Sequence, residues 1–216
     1  MEETPWFEYA DDDLDVAQRA FVDVLAARAR SWLVHPEDTA VVPPEHPYDR
    51  ELIVWLDIVD PQHNQGILTV GAHFDGTAVH ADKLHNQLFS LPQEATEFAF
   101  TATGNPAELA ERTAAWFEAV LLRPLVRCAW QHAGRTYAVR YAFADTGRGL
   151  IESFDDALAP RRLQERLAAE GIVRGRGRIN RTHLGEPDLI TWVRGARPDQ
   201  EARDAPHPRS GFGRGR

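Results

Sequence analysis

Apolar residues recur at helical spacing in three stretches of this chain and alternate, or run on unbroken, in several others. The plainest helix opens at Asn105. Asn105 offers an N-cap oxygen, Pro106 suits the first helical position, and Glu108 lies three after the cap. Leu109, Thr113, Trp116, Phe117, Val120 and Leu121 then recur at three and four, and Pro124 stops the helix. A second helix is predicted over 13–33 from Leu14, Ala17, Phe21, Val24, Leu25 and Trp32, with Asp11, Asp12 and Asp13 as capping acids. A third, over 160–170, carries Leu163 and Leu167 and closes at Gly171.

Between the helices the pattern changes to that of strands. Glu51–Val59 is apolar in both of its alternating sets, the mark of a central strand covered on two faces. Ile67–Phe74 is its partner, Asp75-Gly76 reads as a tight hairpin turn, and Thr77–Ala81 begins a third strand. A short helix is expected over 82–89 and a strand over 96–103. A second hairpin spans 125–131 and 135–144 across His132-Ala133-Gly134, and a last strand covers 189–193. Pro36, Pro43, Pro44 and Pro47 mark 34–50 as a connector without regular structure.

The expectation is therefore one α+β domain over 1–194, with residues 1–12 as an N-terminal arm. Its order is helix, three or four strands, helix, two strands, helix, strand. Short connections predict an antiparallel sheet of about five to seven strands with the helices mainly on one face. The Arg-, Gly- and Pro-rich 195–216 is expected to be a disordered tail. In element order alone, residues 13–170 resemble the type III secretion chaperone and YbjN-like fold, with the strands near Thr96 and Leu189 as departures. That resemblance implies protein binding without catalysis, often as a dimer.

Composition narrows the class. With 43% hydrophobic residues and six tryptophans the chain can build a core, and no apolar run is long enough for a bilayer. The N-terminal Met-Glu-Glu-Thr-Pro-Trp-Phe-Glu is acidic where a secretory signal is basic and then apolar, so a cytoplasmic location is expected. Cys128, the single cysteine, has no partner for an internal disulfide. The net charge of −9 is unevenly spread: residues 1–60 carry −11 and residues 161–216 carry +6. Strong acidity favours a basic partner.

Candidate chemistry concentrates in Gly71–His85. His73, Asp75 and His80 offer two imidazoles and a carboxylate on one hairpin, a ligand set suited to zinc, iron or manganese. A two-residue turn would put His73 diagonal to His80. These residues carry the alternative reading, a small metal-dependent hydrolase. No serine sits in a nucleophile elbow, and no phosphate loop or dinucleotide fingerprint is present, so no cofactor is expected. Arg174, Arg176, Arg178 and Arg181 cluster beside glycines and form a candidate nucleic-acid contact, against which the overall acidity argues.

The leading expectation is a non-catalytic, cytoplasmic protein-binding module of the adaptor, chaperone or immunity type, with homodimerisation open. Its candidate contact residues are the aromatics set among acids, Trp6, Phe7, Tyr9 and Tyr48.

Overall fold

The computed structural model describes residues 6–9, 13–32, 39–44, 51–85, 87–169 and 184–195. The chain forms an α+β structure with antiparallel pairing throughout, its strands divided between two sheets. It separates into two compact units. The first comprises residues 1–123 with 149–152, and the second 124–148 with 153–216.

The first unit holds α1 (Val16–Ala29), β1 (Thr39–Val42), β2 (Leu52–Asp60), β3 (Gln65–Phe74), β4 (Ala78–Lys83), β5 (Phe100–Thr103) and α2 (Pro106–Leu121). Its five strands form a meander in the order β1-β2-β3-β4-β5. Along β2, Leu52, Val54, Leu56 and Ile58 are fully buried and face the helices. Phe21 of α1 stacks on Phe74 of β3 with centroids 4.4 Å apart, which sets α1 on that face. Helix α2 begins as its sequence predicts, with the Asn105 side chain accepting from the Glu108 amide at 3.0 Å and Pro106 at the first turn.

The arm residues Trp6 and Phe7 belong to this core. Trp6 packs edge-on against Trp32 at 4.8 Å, and Phe7 meets Phe117 of α2 at 5.7 Å. With 8% and 1% exposure they are structural aromatics, not the surface contacts their acidic setting suggests. Burying each ring is worth roughly 1.5–3 kcal/mol, which outweighs what an exposed arm would gain.

Several boundaries moved for identifiable reasons. The cap of α1 is Asp15, not the preceding acids. Its carboxylate accepts from the Gln18 amide at 2.8 Å while the Gln18 side chain accepts from the Asp15 amide at 3.0 Å. Such reciprocal capping needs Glu or Gln three residues on, which Asp15 alone of these acids has. Strand β1 interrupts the proline-rich connector, because Thr-Ala-Val-Val fits the flank of β2. Among the described residues of 82–89 no helix forms: Asp82 and Lys83 end β4, and the Leu84 amide donates to the Thr69 carbonyl at 3.0 Å. Strand β5 starts only at Phe100, since the Ala99 amide closes a turn onto the Thr96 carbonyl.

The second unit contains β6 (Leu125–His132) and β7 (Arg135–Phe143), the hairpin expected from sequence. With β8 (Gly149–Phe154) and β9 (Leu189–Arg194) they form a sheet in the order β8-β7-β6-β9. Strand β8 went unrecognised because the preceding Asp-Thr-Gly-Arg reads as loop. Helix α3 (Arg161–Ala169) packs Leu163 and Leu167 on Trp130, Tyr137 and Ala138, and Cys128 lies against the same cluster. No described helix is long and apolar enough to cross a membrane. Residues 196–216 of the expected tail lie outside the described residues.

Phe117 is fully buried among aromatic neighbours. Replacing it with alanine is expected to cost about 3–5 kcal/mol, measured as a lowered midpoint in urea unfolding; an unchanged midpoint would show that α2 presents another face to the core.

Candidate functional site

The face of the five-stranded sheet opposite the helices holds most of the first unit's chemistry. Register places Ile53, Trp55 and Asp57 of β2 beside His73, Gly71 and Thr69 of β3. His80 and Asp82 of β4 follow on the same face, opposite His73 and Gly71. A purely apolar face would need a second layer of helix. Here the connection from Leu84 to Ala99 supplies the cover.

Residues of this strand set hold the connection down, and from α2 the Trp116 indole also donates to the Phe98 carbonyl at 2.9 Å. Leu84 lies over Gly71, where a β-carbon would come within 2.4 Å of Leu84 Cδ1, 2.7 Å of the Val54 carbonyl and 2.9 Å of Trp55 Cβ. Glycine is required there because the neighbouring β2 backbone at Val54 and Trp55, with Leu84 above it, leaves no room for a β-carbon. The Phe89 ring stacks on Trp55 with centroids 5.2 Å apart. The carboxylate of Asp82, 4% exposed, accepts from the amide of Thr96 at 2.9 Å and from its hydroxyl.

His73 supplies the remaining pin. Its Nε2 lies 2.9 Å from the Phe89 carbonyl and its Nδ1 3.0 Å from Glu51 Oε2. A carbonyl and a carboxylate can only accept, so both bonds form together only when the ring carries two protons. Phe89 itself adopts φ 50°, a left-handed conformation that a bulky side chain tolerates only when its surroundings enforce it. The ring stack and the His73 bond enforce it.

The three hairpin residues expected to hold a metal are brought close, but His73 and Asp75 are otherwise employed. Phe74 pairs with Val79, leaving four residues between them, so His73 pairs directly with His80 and not diagonally. The reason is Asp75. One carboxylate oxygen accepts from the Thr77 amide at 2.8 Å, the Ala78 amide at 2.7 Å and the Thr77 hydroxyl at 3.0 Å, which extends the turn. Chiefly the Thr77 amide holds the Asp75 carboxyl below its ordinary value, with a smaller opposing push from burial. Among the described residues no three His, Cys, Asp or Glu side chains are placed to share a metal ion.

A further pair was not anticipated from sequence. The carboxylate of Asp60, 2% exposed, lies 2.7 Å from His63 Nδ1 across the β2–β3 turn and also accepts from the Gln62 amide at 2.9 Å. The signal was present in Asp-Pro-Gln-His, where an acid ending a strand can bond the turn residues that follow. Of the aromatic contact candidates, Tyr9 donates its hydroxyl to Asp23 at 2.8 Å. Tyr48 lies outside the described residues, as do Arg174, Arg176, Arg178 and Arg181.

Compared with known proteins, the chain matches no family model, no curated protein and no solved structure.

Two outcomes are expected from the pins. His73→Ala removes the hold on Phe89, so amide exchange across residues 84–90 should rise about tenfold or more, on the scale of one lost charged hydrogen bond, while exchange in α2 stays unchanged. For Asp75 the folded carboxyl is depressed, so its stabilising contribution is full above the unfolded value and is lost as pH falls from there through the lower folded value. Wild type should therefore lose stability between about pH 5 and about pH 3 in excess of Asp75→Asn, measured by urea unfolding across that range; parallel curves would remove the carboxylate from the turn's energetics.

Proposed function

We propose that this chain is a protein-binding module that takes up a polypeptide partner as an added strand along the outer edge of β9. The observation that carries this reading is the character of β9. Among the described residues it pairs only with β6, leaving one row of amides and carbonyls directed away from the sheet. Its sequence, Leu-Ile-Thr-Trp-Val-Arg, has no proline and no charge before its last residue, so it lacks the usual devices that blunt an edge. Leu189 and Ile190 are 47% and 45% exposed, and alternation sends them to opposite faces of the sheet. An incoming strand would find backbone partners in line and apolar contact above and below.

The edge is held ready rather than formed on contact. The Trp130 indole donates to the Gly185 carbonyl at 3.1 Å, and Asp188 accepts from the Gln131 amide at 2.6 Å, just ahead of β9. Gly195, at φ 80°, turns the chain tightly against Pro124 just after it. A pre-ordered edge lowers the entropy cost of binding.

The alternative of a metal-dependent hydrolase at His73, Asp75 and His80 has less to support it, since His73 and Asp75 are committed to the cover and the turn. Replacing Leu189 and Ile190 together with lysine tests the proposal. Both side chains are exposed, so the thermal midpoint should hold while a stoichiometric partner recovered with the wild type is lost. If light scattering shows a wild-type dimer and a monomeric variant, the added strand is a second copy of this chain. Equal recovery of partner by both proteins would rule out the β9 edge.

A further inference from the structure

The second face of the first unit's sheet carries a cavity of about 550 Å³ where the Leu84–Ala99 cover stops short. That volume lies within the range of small-molecule sites. Trp55, Phe89, Ile67 and Leu68 contribute apolar lining together with Leu84, Leu150 and Ile151, and Asp57, Thr69, Lys83 and His85 are its polar members. We propose that this cavity binds a small organic monoanion with a planar apolar body, the body against Trp55 and Phe89 and the charge at Lys83 and His85.

The choice of an anion follows from which polar groups are already engaged. The Asp57 carboxylate accepts the Thr69 hydroxyl, which ties it to the sheet. Lys83, the single lysine among 24 Lys and Arg residues, is exposed at the cavity and carries three donors. His85 accepts the amides of Gln87 and Leu88 at Nδ1, each at 3.3 Å, which places the proton of the neutral ring on Nε2 as a donor. One cation and one neutral donor remain, and both call for an oxyanion. Asp57 limits the ligand to a single negative charge, because a polyphosphate would be repelled by the carboxylate in the same cavity.

The apolar end of the site is built at some cost to the fold. Trp55 Nε1 is buried and has no acceptor among the described residues, and Phe89, held left-handed by its stack on Trp55, the His73 bond and the turn from His85, keeps its ring on Trp55. A flat hydrophobic surface edged by donors is what an aromatic carboxylate or sulfonate recognises.

Anilinonaphthalene sulfonate and the uncharged phenylnaphthylamine share a ring body and differ in the charge, so together they test the proposal by fluorescence titration. The full chain should bind the sulfonate saturably at one site per molecule. Lys83→Met should weaken it about fivefold, the scale of an exposed charge pair, and leave the neutral probe's affinity unchanged. Phe89→Leu should weaken both probes. The Leu189→Lys, Ile190→Lys double variant should bind as the wild type does, which separates this site from the β9 edge. Unsaturable binding, an unaffected Lys83→Met variant, or loss of binding in the β9 variant would each overturn the proposal.

Discussion

The first unit depends on one constraint: β2 is apolar on both sides, so the sheet around it needs two covers. Leu52, Val54, Leu56 and Ile58 are met by α1 and α2, which also enclose the aromatic cluster of Trp6, Phe7, Trp32 and Phe117. On the other side Ile53 and Trp55 lie beside Gly71, His73 and Asp82, a mixed surface that no helix among the described residues is placed to close. An irregular connection closes it instead. Lacking repeated backbone hydrogen bonds of its own, that connection is held by side chains aimed at its backbone.

This explains why residues that look catalytic are spent on structure. His73 spans Glu51 and the Phe89 carbonyl, and Asp82 takes both donors of Thr96. A buried carboxylate or imidazole without such partners would be expensive, so polar groups on this face were bound to find them in the cover. The cavity bordered by Trp55, Lys83 and His85 is the remainder of the same surface, the part the cover does not reach.

The second unit solves its packing differently. Trp130, Tyr137 and Ala138 are closed over by Leu163 and Leu167 of α3, while β9 completes the sheet along β6 and is itself left as an edge. Core and edge thus lie on different strands, and apolar residues on β9 can be exposed without weakening the cluster beneath α3. That division is what makes an added strand physically reasonable there.

Sequence by itself determined the elements whose signal is local. Asn105 and Pro106 set the start of α2, Phe117 its buried face, and the apolar runs flanking Ala133-Gly134 the β6–β7 hairpin. It also determined β2 as a strand with two faces to bury. Only tertiary structure decided what depends on partners distant in the chain: that Thr39–Val42 pairs beside β2, that Trp6 and Phe7 sink into the core, and that His73 serves a carbonyl sixteen residues away. The physical reason is that periodicity and capping are fixed by neighbours within a few residues, whereas burial and hydrogen-bond partners are fixed by whichever surface the folded chain brings opposite.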